Sequence, residues 1–256
     1  MIEAGGMGLQ ARLAVSSSGV IGVSYFATQA LSDGPCEELE GDTVPDKNRW
    51  TIRYAEWIGA EWRTETVHEP LLLGSPVGLS LAFSGDSQPT IATMTGEPLP
   101  LYRFCGANDV GLLTKDSTAW SLEPAATTSG DAAIGDEAAD FGEVVGYWPA
   151  LAFDAEDQPA VAYRDVHSGS IMRDDLNRAD LEFAWKKGGG WQYSMIDAGM
   201  GAGEYNALAF DSQNRPVVVY SNPVEQAAGR SGLWVARSED GESWTRARIS
   251  AVKTSE

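Results

Sequence analysis

Apolar and polar positions along this chain repeat as a four-part cassette. Each copy opens on an apolar triplet: Leu13-Ala14-Val15, Leu81-Ala82-Phe83, Leu151-Ala152-Phe153 and Leu208-Ala209-Phe210. A polar turn follows (SSSG at 16–19, SGDSQP at 84–89, DAEDQP at 154–159, DSQNRP at 211–216), then a β-branched and aromatic run, VIGVSY, TIATM, AVAY or VVVY. Ser, Asp, Gly and Pro reverse a chain cheaply and β-branched residues fit a pleated surface, so each pair reads as a tight hairpin. A third run comes next (TIRYAEW at 51–57, VGLLTKD at 110–116, LEFAWKK at 181–187, LWVARSE at 233–239), and a fourth begins at Trp62, Trp120, Trp191 and Trp244. Four short antiparallel strands per unit predict an all-β chain, a β-propeller of four-stranded antiparallel blades with four repeats present. The repeats fall at about 4–70, 71–130, 146–200 and 201–252, within one propeller region 1–256.

Successive triplets are 68, 70 and 57 residues apart, more than the roughly 40 to 50 of compact propeller repeats. The excess is placed unevenly. Turns between the first and second strands, and between the third and fourth, are short. Long segments follow the second strand (27–48, 95–109, 164–179, 221–231) or join blades (125–146). Both kinds open on the same face of a blade, and binding residues concentrate on loops held by a rigid scaffold, so that face is the expected working surface. The start MIEAGGMGLQARLAV aligns with MIDAGMGAGEYNALAF at 195–210, where Met195-Ile196-Asp197 ends a fourth strand. Met1-Ile2-Glu3 therefore reads as the tail of such a strand. The expectation is an open partial propeller or a fragment of a larger one, with closure of a four-bladed ring as the alternative.

Charge narrows the partners. Eighteen basic against 37 acidic residues give a net charge of −19. Binding to nucleic acid or to an anionic membrane surface needs cations, so neither is an expected partner. No apolar run approaches the roughly 18 to 20 residues that span a bilayer, which argues against membrane insertion. The opening residues also lack the basic and apolar regions of a signal peptide. Acidic clusters at Glu37, Glu38, Glu40, Asp42 and Asp46, and at Asp131, Asp136, Glu137, Asp140 and Glu143, read as a solvated surface. Calcium is the sharper alternative, although neither cluster has EF-hand spacing; no other cofactor is implied. The two cysteines, Cys36 and Cys105, fall in corresponding long loops of neighbouring repeats, and a disulfide between them is expected, with two separate thiols as the alternative.

Candidate chemistry is sparse. In the third repeat Arg164, Asp165 and His167 continue toward Asp174 and Asp175, setting a base, carboxylates and a guanidinium on the expected working face. Such a set binds a metal or a carboxylated sugar; an ordinary polar loop with internal Arg–Asp pairs is the competing reading. Tyr102, Phe104, Phe141, Tyr147 and Trp148 are candidate ligand-binding aromatics, although Tyr147 and Trp148, immediately before the third triplet strand, are equally explained by packing. The remaining histidine, His68, is expected at the surface. Arg12, Arg53, Arg103, Arg164 and Arg237 lie mostly in strand patterns, where exposed structural roles are the default. Gly188-Gly189-Gly190 and the glycines at 199, 201 and 203 precede no helical pattern and carry no P-loop Lys-Ser/Thr, so they read as turns.

Ser238-Glu239-Asp240-Gly241-Glu242-Ser243-Trp244 resembles the Asp-box turn of BNR/sialidase-like propellers, one residue short between Asp240 and Trp244. The other repeats are read as keeping only the Trp. The wider cassette is similar to repeats of bacterial secreted or surface propeller proteins. That resemblance implies an extracellular or cell-surface location. A sialidase would add three substrate-gripping arginines, a Tyr-Glu nucleophilic pair and an acid Asp; the Arg-Ile-Pro signature is absent and no such set transfers residue by residue. The expected role is a non-catalytic binding or scaffold propeller that takes a glycan or protein on its long-loop face. The alternatives are a sialidase-like glycoside hydrolase, or part of one, and a structural segment of a large surface protein.

Overall fold

In the computed structural model the described residues are 8–29, 48–73, 78–94, 109–126, 144–166, 179–198, 201–222 and 231–251. Among them every regular element is a strand, and the sixteen strands form four separate four-stranded antiparallel sheets. The first sheet is β1 (Leu9–Val15), β2 (Ile21–Gln29), β3 (Asn48–Ile58) and β4 (Glu61–Leu73); the second is β5 (Leu79–Phe83), β6 (Pro89–Met94), β7 (Val110–Lys115) and β8 (Trp120–Ala126). The third is β9 (Val144–Phe153), β10 (Pro159–Val166), β11 (Ala179–Lys187) and β12 (Gly190–Ala198), and the fourth is β13 (Glu204–Phe210), β14 (Pro216–Asn222), β15 (Gly232–Ser238) and β16 (Trp244–Ala251). Strand order follows chain order in each, so every sheet is a meander and one blade. The chain divides into two compact units, Met1–Pro124 and Ala125–Glu256, with the boundary in the last residues of β8.

The polar turns work alike in all four blades. The side-chain oxygen that opens each turn accepts the backbone N–H four residues on: Ser16 from Val20 at 3.0 Å, Ser84 from Gln88 at 3.1 Å, Asp154 from Gln158 at 2.8 Å, Asp211 from Arg215 at 3.1 Å. Three residues after it the backbone turns left-handed, at Gly19 (φ 86°), Ser87 (62°), Asp157 (61°) and Asn214 (61°). Gly, Asn and Asp tolerate that conformation best, which accounts for the turn composition.

Within each unit the recurring tryptophan of the later blade locks it onto the blade before. In the first unit, Trp120 of β8 meets Tyr54 of β3 edge-on at 5.4 Å, and its indole N–H donates to Glu65 of β4 at 3.2 Å. In the second unit, Trp244 of β16 meets Phe183 of β11 edge-on at 5.0 Å and donates to Ser194 of β12 at 3.0 Å. Glu65 and Ser194 occupy the same place, three residues after Trp62 and Trp191. Around the second lock, Ala160, Ala162, Leu181, Phe183 and Trp185 of one sheet enclose Val218, Tyr220 and Ala236 of the next. Small residues on β10 let the two sheets close on the aromatic layer of β11.

The β15–β16 turn is tied by Ser238 and Asp240. Ser238 Oγ accepts the Gly241 N–H at 2.8 Å; Asp240 Oδ1 accepts the N–H groups of Glu242 and Ser243 at 2.8 and 3.0 Å. The β7–β8 turn keeps the same device, contrary to the expectation that other repeats retain only the Trp: Asp116, also four residues before its tryptophan, accepts the N–H groups of Thr118 and Ala119 at 2.7 and 2.8 Å. Backbone N–H donors stabilise the carboxylate and hold Asp240 down at about 2 from its ordinary 3.8. A depressed folded-state pKa contributes stability above the unfolded value that is lost as pH falls toward the folded one. The melting temperature of Asp240→Asn should therefore lie below the parent's at neutral pH, and the gap should close between about pH 4 and pH 2. A gap unchanged across that range would contradict the assignment.

Candidate functional site

The first strands of three blades share a defect, and the residue just before the first strand of the second blade adopts the same conformation. Gln10 (φ 57°), Gly78 (95°), Trp148 (48°) and Tyr205 (53°) each lie three residues before the leucine of their triplet, and each is left-handed. Ladder registers shift at this place in β1–β2, β9–β10 and β13–β14, so the position is a β-bulge. Three of the four are non-glycine residues, for which the left-handed region costs on the order of 1–3 kcal/mol, and such strain clusters at sites where a side chain must be aimed.

In the second unit two bulges come together. The rings of Trp148 and Tyr205 lie 5.5 Å apart, and the Asn206 amide donates to the Trp148 carbonyl at 3.1 Å across the two sheets. Tyr205 is 71% exposed, the most open of the large hydrophobic side chains described. Tyr147 also meets Trp148, edge-on at 5.7 Å. Beneath this layer, the Arg164 guanidinium sits 5.4 Å from the Trp148 ring centre and donates to Glu204 Oε1 at 2.9 Å. Arg164 is 3% exposed and Asp165 fully buried. Burial pulls the Arg164 guanidinium toward losing its proton, and the Glu204 carboxylate opposes that. Burial also pushes the Tyr147 phenol up, with Arg164 acting against it. The chain can pass this close because Gly203, left-handed at φ 93°, would place a Cβ only 3.2 Å from Arg164 Cβ and from Leu181 Cδ1.

Arg164 is singular among its equivalents. Counting from the register pairs Ala14–Gly22, Ala82–Thr90, Ala152–Ala160 and Ala209–Val217, the same place is held by Phe26, Met94, Arg164 and Ser221. Only the third blade puts a charge there. It is an inward-facing, ion-paired residue, not the exposed strand arginine that its pattern indicated. Tyr147 and Trp148 are likewise inside β9, which starts at Val144, and not ahead of it. Glu204, Tyr205 and Asn206 were not singled out by the sequence pattern. Their signal was positional: a glycine two residues before the bulge in three of the repeats, Gly8, Gly146 and Gly203.

His167, Asp174, Asp175, Tyr102, Phe104, Phe141, Cys36, Cys105 and both acidic clusters lie outside the described residues. His68 falls within β4, and its side chain is outside them too. Among the described residues no group of three or more His, Cys, Asp or Glu side chains is arranged to hold a metal ion. No described helix is long and apolar enough to cross a membrane.

The fold and this site define a β-propeller of four-stranded blades with a bulged, aromatic junction. No family model and no curated protein matches the chain. Solved structures do match it. A Dyadobacter fermentans protein of unknown function superposes with a TM-score of 0.59 at 12% identity, over 95% of this chain and 69% of that one. The α-L-arabinofuranosidase Arb93A of Fusarium graminearum gives 0.53 at 15% identity, and the α-L-arabinanase of Penicillium chrysogenum, solved with arabinobiose, gives 0.53 at 14%. Each of these two alignments covers 94% of this chain and 66% of the enzyme, so the chain spans just under two thirds of their length. At such identities the likeness is one of fold.

Proposed function

We propose that this chain is the glycan-recognising part of an extracellular propeller, which binds carbohydrate through the bulged junction of its third and fourth blades without cleaving it. The observation that carries the reading is Tyr205, an exposed aromatic held in a strained conformation beside Trp148, above the buried Arg164–Glu204 pair. An aromatic face offers a sugar ring apolar contact and the polar groups beside it offer hydrogen bonds, the combination that carbohydrate recognition requires. Net negative charge favours a neutral glycan over nucleic acid or an anionic surface. The Ser238–Trp244 turn supports kinship with Asp-box propellers, and the carbohydrate-active enzymes that share the fold point to the same substrate class.

Binding of the whole chain to an array of plant and bacterial glycans, arabino-oligosaccharides included, tests the reading. The chain should retain a defined subset, and Tyr205→Ala should weaken that binding at least 10-fold with an unchanged circular dichroism spectrum. No retained glycan, or equal binding by the variant, would overturn it. Glu204, whose side chain keeps 21% of its surface in water next to Tyr205, favours a second reading, glycoside hydrolysis with Glu204 as one of two carboxylates. Release of reducing ends from bound oligosaccharide, abolished in Glu204→Gln, would establish that reading in place of the first.

A further inference from the structure

A cavity lies in the second unit, near the ends of β12 and β14, on the outer-strand side of the Arg164–Glu204 pair: Arg164 is paired with Leu181, Leu181 with Asp197, and Glu204 with Ser221, the neighbour of Asn222. It measures about 140 Å³ and, among the described residues, is lined by Asp197, Asn222, Trp234 and Arg246. At roughly 30 Å³ per water it has room for four or five waters, or for one small ring in their place. Its polar groups are nearly complete. Tyr220 donates to Asp197 Oδ2 at 2.6 Å, and Arg246 is ion-paired with Asp197 Oδ1. Asn222 is 2% exposed, yet its Oδ1 accepts no hydrogen bond among the described residues. A buried amide oxygen left without a donor destabilises the fold, so such a group is retained where something supplies the donor.

The repeat shows that packing does not demand this set. Matched by register and by distance from the recurring tryptophan, the first unit has Thr93, Gly111 and Leu122 where the second has Tyr220, Trp234 and Arg246. The same sheet-to-sheet contact is thus made without a guanidinium, an indole or a phenol. We infer that the Asp197–Asn222–Trp234–Arg246 cavity is a binding site for a single neutral sugar unit, separate from the aromatic junction. Asp197 and Asn222 oxygens accept from ligand hydroxyls, Arg246 donates to a ligand oxygen, and the indole of Trp234 forms the apolar wall. Because Asp197 and Arg246 cancel each other's charge, a charged ligand would have to break their pair. A polyhydroxylated neutral ring needs only hydrogen bonds.

The site is tested on the whole chain with the methyl glycosides of arabinose, xylose, galactose and fucose, and with glucuronic acid as the charged counterpart. Saturation-transfer NMR and tryptophan fluorescence report binding. At least one neutral glycoside should bind saturably and glucuronic acid should not. Arg246→Leu, which installs the residue of the first unit, should weaken that binding 10-fold or more. Asp197→Asn combined with Arg246→Leu should do the same without a buried unpaired carboxylate, which separates loss of the ligand from loss of the fold. Tyr205→Ala should leave this binding intact. The inference fails if none of the four glycosides binds, if Arg246→Leu binds as the parent does, or if glucuronic acid binds as well as they do. Loss of binding in Tyr205→Ala would move the sugar to the junction and overturn this site while supporting the other. Failure of the junction alone would appear as an unaltered glycan-array profile in Tyr205→Ala with the Arg246 effect intact.

Discussion

Alanine in place of Gly241 should destabilise the second unit by about 3 kcal/mol or more, the sum of overpacking at roughly 1–3 kcal/mol and a left-handed Cβ at about 1–2 kcal/mol. Gly241 has φ 85°, and a Cβ there would stand 2.6 Å from Trp185 Cε3 and 3.0 Å from Cζ3. The indole cannot retreat. Phe210 lies 5.0 Å away and Phe183 6.0 Å away, Lys187 Nζ is stacked 3.4 Å from its ring centre, and its N–H is held by Asp154 at 3.1 Å. The Gly241 carbonyl cannot shift freely either, because Ser194 donates to it at 2.6 Å and receives Trp244 in turn. Overpacking therefore reaches the tryptophan lock and loosens the contact between the two sheets. Gly188→Ala is the internal control: φ there is 60°, but nothing lies within 4 Å of the added carbon, so only the left-handed Cβ cost of about 1–2 kcal/mol applies. Thermal unfolding of both variants decides the matter. Equal losses would mean that the close approach to Trp185 contributes nothing.

The hairpins could be read directly because their determinants are local. A Ser or Asp opening the turn, a left-handed residue three places on and a β-branched run behind it all sit within one short window of sequence. The tryptophan was readable as a strand marker, but its purpose was not. Its partners, Tyr54 and Glu65 for Trp120, or Phe183 and Ser194 for Trp244, belong to the preceding blade and are 50 or more residues distant. Likewise Arg164 and Asp165 could be picked out as candidate chemistry, whereas Glu204, 40 residues on, could be joined to Arg164 only once two blades were packed together. The bulge is the clearest limit. Glycine at 78 announces a left-handed backbone; Gln10, Trp148 and Tyr205 at the same position do not, since their own preference is for the extended region. The fold imposes that conformation on them, which is why the exposed Tyr205 escaped a reading based on residue preference.

The ion pair beneath Tyr205 gives the sharpest separation of stability from recognition. Glu204→Ala should cost about 3 kcal/mol, the low end of the range for breaking a buried pair, since the Glu204 side chain keeps 21% of its surface in water while that of Arg164 keeps only 4%. The loss comes from Arg164, whose charge would stay buried without its carboxylate. Replacing both members behaves differently, because removing two buried charges together also removes their desolvation penalty. The chain already contains the apolar solution: Met94 holds the Arg164 position in the second blade. Arg164→Met with Glu204→Gln should accordingly melt within a few degrees of the parent, while Glu204→Ala alone melts well below it. Glycan binding should be lost in both, since neither retains the guanidinium–carboxylate arrangement beneath the aromatic pair. A double variant as unstable as the single one would show that the pair serves the fold. A double variant that is stable and still binds would show that the polar floor of the junction takes no part in recognition, leaving the Trp148 and Tyr205 rings as its whole basis.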